Sequence, residues 1–152
     1  VNTATIAILE DDPRRVRTMR RLLQRRFPAL RIEVCDNAPD MIAWLRANRS
    51  TAVLIALDHD LGPDRESDGY RFDPGTGRDV TDFLATVPPS CPVVIHSTNS
   101  LAVPGMELVL ADAGWTTSRI VPFDDLAWIR REWLPEVRRL LTAKDRPTEP
   151  GR

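Results

Sequence analysis

Two periods of apolar positions take turns along this chain. Thr5-Ile6-Ala7-Ile8-Leu9 is a continuous apolar run that stops abruptly at Glu10-Asp11-Asp12. Continuous runs of this length suit strands covered on both faces. Pro13 follows, where a missing N–H costs nothing at the first position of a helix, with Asp12 as its N-cap. Val16, Met19, Leu22, Leu23 and Phe27 then recur at helical spacing, with arginines on the other face. Arg31-Ile32-Glu33-Val34-Cys35 predicts a second strand. Asn37 and Pro39 open a second helix through Met41, Ile42 and Leu45, and Ala52-Val53-Leu54-Ile55-Ala56-Leu57 is a third strand. It ends as abruptly as the first, in Asp58-His59-Asp60-Leu61-Gly62.

The pattern is lost from Pro63 to Thr76, a polar loop of a length usually reserved for function or disorder. Its Asp64-x-Glu66-x-Asp68-Gly69 segment starts like a calcium loop, but position twelve is Gly75 rather than a bidentate acid. It reads instead as a lid or solvated surface, with Arg65, Arg71 or Arg78 available for phosphate. Val80, Phe83, Leu84 and Val87 mark a third helix stopped by Pro88-Pro89. Pro92-Val93-Val94-Ile95-His96 is a fourth strand running into Ser97-Thr98-Asn99-Ser100. A fourth helix is predicted from about Met106 to Ala113, with Gly114 after its end. Ser118 to Pro122 reads as a short fifth strand. Asp124-Asp125 reads as the cap of a last helix through Leu126, Ile129, Trp133, Val137 and Leu141, with Pro135 a kink or restart. Trp44, Trp115, Trp128 and Trp133 fall at helix or helix-end positions and read as core or interface. From Thr142 to Arg152 the Pro-rich, charged tail reads as flexible. Strand and helix thus alternate through residues 1–141, which predicts one α/β domain built on a doubly wound, five-stranded parallel sheet.

Composition narrows the function. A net charge of −1 gives no basic field for nucleic acid or an anionic membrane, and no nucleic-acid motif is present. No apolar run reaches the ~18 residues of a membrane span and no signal-peptide pattern opens the chain, so a cytoplasmic location is expected. Cys35 and Cys91 are too few for a disulfide framework and read as buried thiols.

The chemistry gathers at the strand ends. In a doubly wound sheet the first and third strands can lie side by side where the winding reverses, and ligands bind outside their carboxyl ends. Glu10, Asp11 and Asp12 then face Asp58 and Asp60. Crowded carboxylates repel one another unless a cation neutralises them, and Mg²⁺ or another divalent cation suits such oxygens. His59 and His96 stand beside these acids as candidate proton donors or acceptors, although either imidazole could equally be a buried, backbone-satisfied histidine. Ser97 and Asn99 are placed to orient phosphate oxygens.

Over roughly residues 4–141 the chain resembles receiver domains of the response-regulator superfamily. Asp11 and Asp12 match that family's metal-binding pair, Asp58 its phosphoacceptor, Ser97 its phosphate-contacting hydroxyl, and Val121-Pro122-Phe123 its Lys-Pro-Phe stretch. Here Val121 replaces the lysine, and Lys144 lies too far along to substitute for it. Thr98 stands where many receivers have alanine, and the loop after Gly62 is longer than usual. The Asp-His-Asp-Leu segment at Asp58–Leu61, Gly77, His96-Ser97-Thr98-Asn99 and Gly105-Met106 resemble a divergent receiver branch proposed to process cyclic phosphates. That resemblance implies catalysis by His96, His59 and Asp58, phosphate binding by Ser97 and Asn99, and metal binding by Asp11, Asp12, Asp58 and Asp60. The implied partner is a phosphate-containing small molecule or phosphodonor, with a homodimer or protein partner through the C-terminal helices. The rival expectations are a signalling receiver phosphorylated on Asp58 and a silent pseudo-receiver that only binds partners.

Overall fold

The computed structural model describes residues 2–143; Val1 and residues 144–152, including Lys144 and most of the predicted tail, lie outside them. Strands β1 (Thr5–Leu9), β2 (Arg31–Cys35) and β3 (Ala52–Leu57) alternate with helices α1 (Pro13–Arg26) and α2 (Ala38–Asn48). A small hairpin, β4 (Arg65–Ser67) and β5 (Tyr70–Phe72), precedes α3 (Gly77–Leu84), β6 (Val93–His96), α4 (Val103–Asp112), β7 (Thr117–Ile120) and α5 (Leu134–Ala143). Five strands pair in parallel in the order β2-β1-β3-β6-β7, so the winding reverses between β1 and β3.

Alternation along each strand divides the core into two layers. Ile6 and Ile8 of β1, Leu54 and Ala56 of β3 and Val94 of β6 pack with Met19 and Leu23 of α1, Val137 of α5, and Trp128 and Trp133. Ala7, Leu9, Ile55, Leu57, Val93 and Ile95 bury the opposite face against α2, α3 and α4 through Met41, Leu45, Val80, Leu84, Met106 and Leu110. Cys35 and Cys91 are buried on this second side, and burial pushes the Cys35 thiol up to about 11. Among the described residues no helix is long and apolar enough to cross a membrane.

Several elements differ from expectation. The 63–76 segment is not featureless: β4 and β5 pair antiparallel around an Asp68-Gly69 turn, where both residues take positive φ (54° and 79°). An Asp60–Thr76 bridge closes the segment at its base. Helix α4 starts at Val103 rather than Met106, because Pro104 sits in its first turn, where proline is tolerated. Strand β7 ends at Ile120, leaving Val121 outside the ladder and 48% exposed. Asp124 and Asp125 do not cap a helix through their side chains; both take positive φ in a turn. The following helix passes through a π-helical turn at Ile129–Trp133 and restarts at Leu134, so Pro135 falls in the first turn of α5. That helix carries Thr142 and Ala143, which the sequence assigned to the tail.

Candidate functional site

Strand register builds the site. Leu9 of β1 lies opposite Leu57 of β3, and Leu57 opposite Ile95 of β6. One position further on, Glu10, Asp58 and His96 therefore stand in a row across three adjacent strands. All three continue the face carrying Ile8, Ala56 and Val94, which is the α1/α5 face. The backbone of this row is tied across the sheet: Glu10 N–H donates to Cys35 O and Asp58 N–H to Leu9 O, both at 3.0 Å. The row is almost sealed, with Glu10 1%, Asp58 5% and His96 0% exposed.

Glu10, Asp11 and Asp58 each offer a carboxylate oxygen, and these oxygens all lie within 4.8 Å of one another. The structure thus brings Glu10, rather than Asp12, to Asp11 and Asp58. Asp12 is occupied as the α1 cap, accepting from the Arg14 N–H at 2.8 Å and pairing with the Arg14 guanidinium at 3.4 Å. Asp60 also lies outside this trio: its carboxylate, 62% exposed, takes His59 Nδ1 at 2.9 Å and Asn99 Nδ2 at 3.4 Å.

Burial and mutual charge set the protonation of the cluster. For Asp58, loss of hydration and the nearby Glu10 charge, opposed by His96, the His59 N–H and Arg15, push the carboxyl up to about 6. Asp11 is likewise raised, by burial first and then by Glu10. Glu10 resists the largest influence on it, burial. Its hydrogen bond and charge contact with His96, the Asp12 N–H at 3.0 Å and Arg15 hold it below the ordinary carboxylate value. Desolvated acids pushed apart in this way favour a bound cation, so this donor set fits a hard divalent ion. A tight floor supports it. A Cβ at Gly77 would stand 2.1 Å from the Asp58 carbonyl oxygen, so only glycine lets α3 approach the end of β3 this closely.

The two histidines differ in kind. His96 Nε2 lies 3.1 Å from Glu10 Oε2, its Nδ1 has no partner among the described residues, and its ring stacks on Trp128 at 5.7 Å with Trp133 edge-on at 6.3 Å. It reaches the site through Glu10 and does not face the open pocket. His59 sits at the mouth, its side chain 14% exposed and its own N–H donating to Asp58 Oδ1 at 2.7 Å. Asn99 Oδ1 accepts from the Ala102 N–H at 3.0 Å, which turns Nδ2 toward Asp60 and His59. Ser97 is buried, and its Oγ accepts from the Asn99 N–H at 3.0 Å, shaping the turn between β6 and α4. A groove of about 820 Å³ between α1, β2 and α2 has Glu10, Asp11, Arg17, Arg20 and Trp44 in its walls.

Sequence reasoning missed Arg15. From the first turn of α1 its guanidinium lies 3.5 Å from Glu10 Oε2 and 3.7 Å from Asp58 Oδ2, over the Trp128 ring at 5.3 Å. No periodicity distinguishes it from its neighbours Arg14 and Arg17. Of the loop arginines, Arg65 reaches back to Asp36, at 3.0 Å to the carboxylate and 2.7 Å to the backbone carbonyl. Arg78 pairs with Asp82 at 2.7 Å.

Comparison with known proteins agrees with this architecture. A crystal structure of the phosphorylated cyanobacterial phytochrome response regulator RcpA superposes with a TM-score of 0.70 at 19% identity, covering 92% of this chain and 95% of that one. A CheY-like response regulator receiver domain protein from Methanospirillum hungatei JF-1 gives 0.65 at 15% identity, covering 93% and 95%. A response regulator receiver domain from Rhodospirillum rubrum gives 0.61 at 19%, covering 94% and 95%. At these identities the likeness is one of fold. No curated protein matches the sequence. Residues 6–112, from β1 through α4, match the family described as the cyclic-phosphate processing receiver domain, and the chain belongs to that family.

Proposed function

We propose that this domain binds a divalent cation, Mg²⁺ or a similar ion, through Glu10, Asp11 and Asp58, and uses it to bind or hydrolyse a small cyclic phosphate. The observation that carries this reading is the convergence of three carboxylate oxygens, within 4.8 Å of one another, at the reversal point of the sheet. The family match over residues 6–112 supports the substrate class. A cation held there supplies positive charge that polarises a phosphoryl oxygen. Everything else falls to the chain. Glu10 is held in place by His96 below, so His96 is a positioning residue for the cluster. His59 is the imidazole suited to move a proton: Nδ1 is held by Asp60, and Nε2 has no partner among the described residues. Asp60 fixes that ring, Asn99 Nδ2 donates to the Asp60 carboxylate, and Ser97 shapes the turn that presents Asn99. Asp58 serves as a cation ligand before any role as phosphoacceptor.

The test is incubation with Mg²⁺ or Mn²⁺ and a panel of cyclic phosphates, comparing the unmodified protein with His59→Ala and Asp58→Asn. Metal-dependent ring opening lost in both variants is the expected result. Metal binding with no turnover, together with a stable acyl phosphate on Asp58 from a small phosphodonor, would instead make the domain a signalling receiver.

A further inference from the structure

The acidic cluster has its own cation, and the contacts of that cation are incomplete. Arg15 sits within ion-pair distance of both Glu10 and Asp58, yet none of its side-chain N–H groups meets hydrogen-bond geometry with a described residue. A guanidinium carries five N–H donors, and one that is three-quarters buried ordinarily spends them. The charge is held over the face of Trp128, which favours a cation without using a donor. Of the other arginines, Arg14 pairs with Asp12 and Asp125, Arg65 with Asp36 and Arg78 with Asp82, while Arg17 and Arg20 line the groove beside Glu10 and Asp11 without reaching Asp58. Just past the end of β7 the chain carries uncharged Val121, half exposed.

Resting on the reading of the site as one for a metal and a phosphate, we propose that Arg15 is the residue that grips the phosphoryl oxygens. Before ligand arrives it acts as an internal counter-ion for Glu10 and Asp58. Glu10, Asp11 and Asp58 would hold a divalent cation that took over that neutralisation, which would free the Arg15 guanidinium. Its planar pair of donors then turns to a phosphoryl group, whose oxygens match a fork geometry. Trp128 keeps the charge over the pocket throughout, so the displacement is a swing of the side-chain end and leaves the helix where it is.

The experiment measures Mn²⁺ affinity by calorimetry, then inorganic phosphate affinity at saturating Mn²⁺ from broadening of the ³¹P resonance, for the unmodified protein, Arg15→Gln and Arg15→Lys. Arg15→Gln is expected to bind Mn²⁺ at least as tightly as the parent and phosphate about tenfold or more weakly. Arg15→Lys, which keeps the charge but loses the fork, should fall between, and it carries the test if the Gln variant does not fold. Phosphate binding unchanged in a variant that still binds Mn²⁺ overturns the role of Arg15 and leaves the site's function standing. Weaker Mn²⁺ binding in Arg15→Gln overturns it too, because Arg15 would then merely arrange the carboxylates. A parent protein that binds neither Mn²⁺ nor phosphate overturns both.

Discussion

Replacing Asp58 by Asn should stabilise the metal-free protein, because this carboxylate is folded at a cost. Its folded value of about 6 lies above the ordinary 3.8, so the folded state holds the proton more tightly than the unfolded state does. Stability therefore falls as pH rises through this window. At about 1.4 kcal/mol per pH unit, the cost of the ionised carboxylate approaches about 3 kcal/mol well above pH 6 and shrinks to about 1 kcal/mol at pH 4.5. Asparagine keeps the acceptor for the His59 N–H but turns an amide toward Arg15, now 3.7 Å from Oδ2. Allowing about 1 kcal/mol for that loss leaves a gain of about 2 kcal/mol at pH 7.5 and almost none at pH 4.5. For a chain of this length the gain corresponds to roughly 4–8 °C in Tm. Circular-dichroism melts of both proteins in EDTA at the two pH values measure it. Adding Mn²⁺ should raise the Tm of the parent more than that of the variant, since the ion binds only the folded cluster. Equal or lower stability of Asp58→Asn at pH 7.5, or the same gain at both pH values, would refute the reasoning.

Three further outcomes follow from the geometry. His96→Ala opens a cavity beneath Trp128 and should cost about 2–4 kcal/mol in urea unfolding, whereas His59→Ala at the mouth should cost less, about 1 kcal/mol. Gly77→Ala drives a methyl into the Asp58 carbonyl; a loss of about 2–3 kcal/mol is expected, with weaker Mn²⁺ binding as β3 and α3 separate. Glu10→Gln removes one charge from the cluster and should weaken Mn²⁺ binding at least about tenfold by calorimetry, while Asp12→Asn, which alters the helix cap and its Arg14 pair outside the cluster, should not.

The parts of this molecule that speak clearly in sequence are those where patterning and burial coincide. Three apolar runs and two shorter mixed strands, separated by amphipathic helices, give the sheet and its layers, and the abrupt acids after Leu9 and Leu57 give the place of the site. The choice among those acids was harder to read. Ile6, Ile8 and Glu10 share one face of β1, which carries Glu10 toward Asp58, but Asp12 just beyond it also satisfied the cap of α1. The hairpin at Arg65–Phe72 was hidden because short polar strands show no apolar face, and only Asp68-Gly69 hinted at the turn. The start of α4 was placed three residues late, at Met106, although the first turn of a helix tolerates Pro104. Arg15 and the π-helical turn leave no periodic trace, since each is defined by what it meets across the fold.

Trp128 occupies a place with an optical consequence. Its buried indole meets the Arg15 guanidinium at 5.3 Å and stacks with His96, which in turn reaches Glu10. Any change of charge among the strand-end acids is thus within two contacts of a chromophore. The domain carries its own label, and filling the pocket can be followed in ordinary light on the native chain. Trp115, buried against Leu84 with its indole N–H on that carbonyl, serves as the constant background.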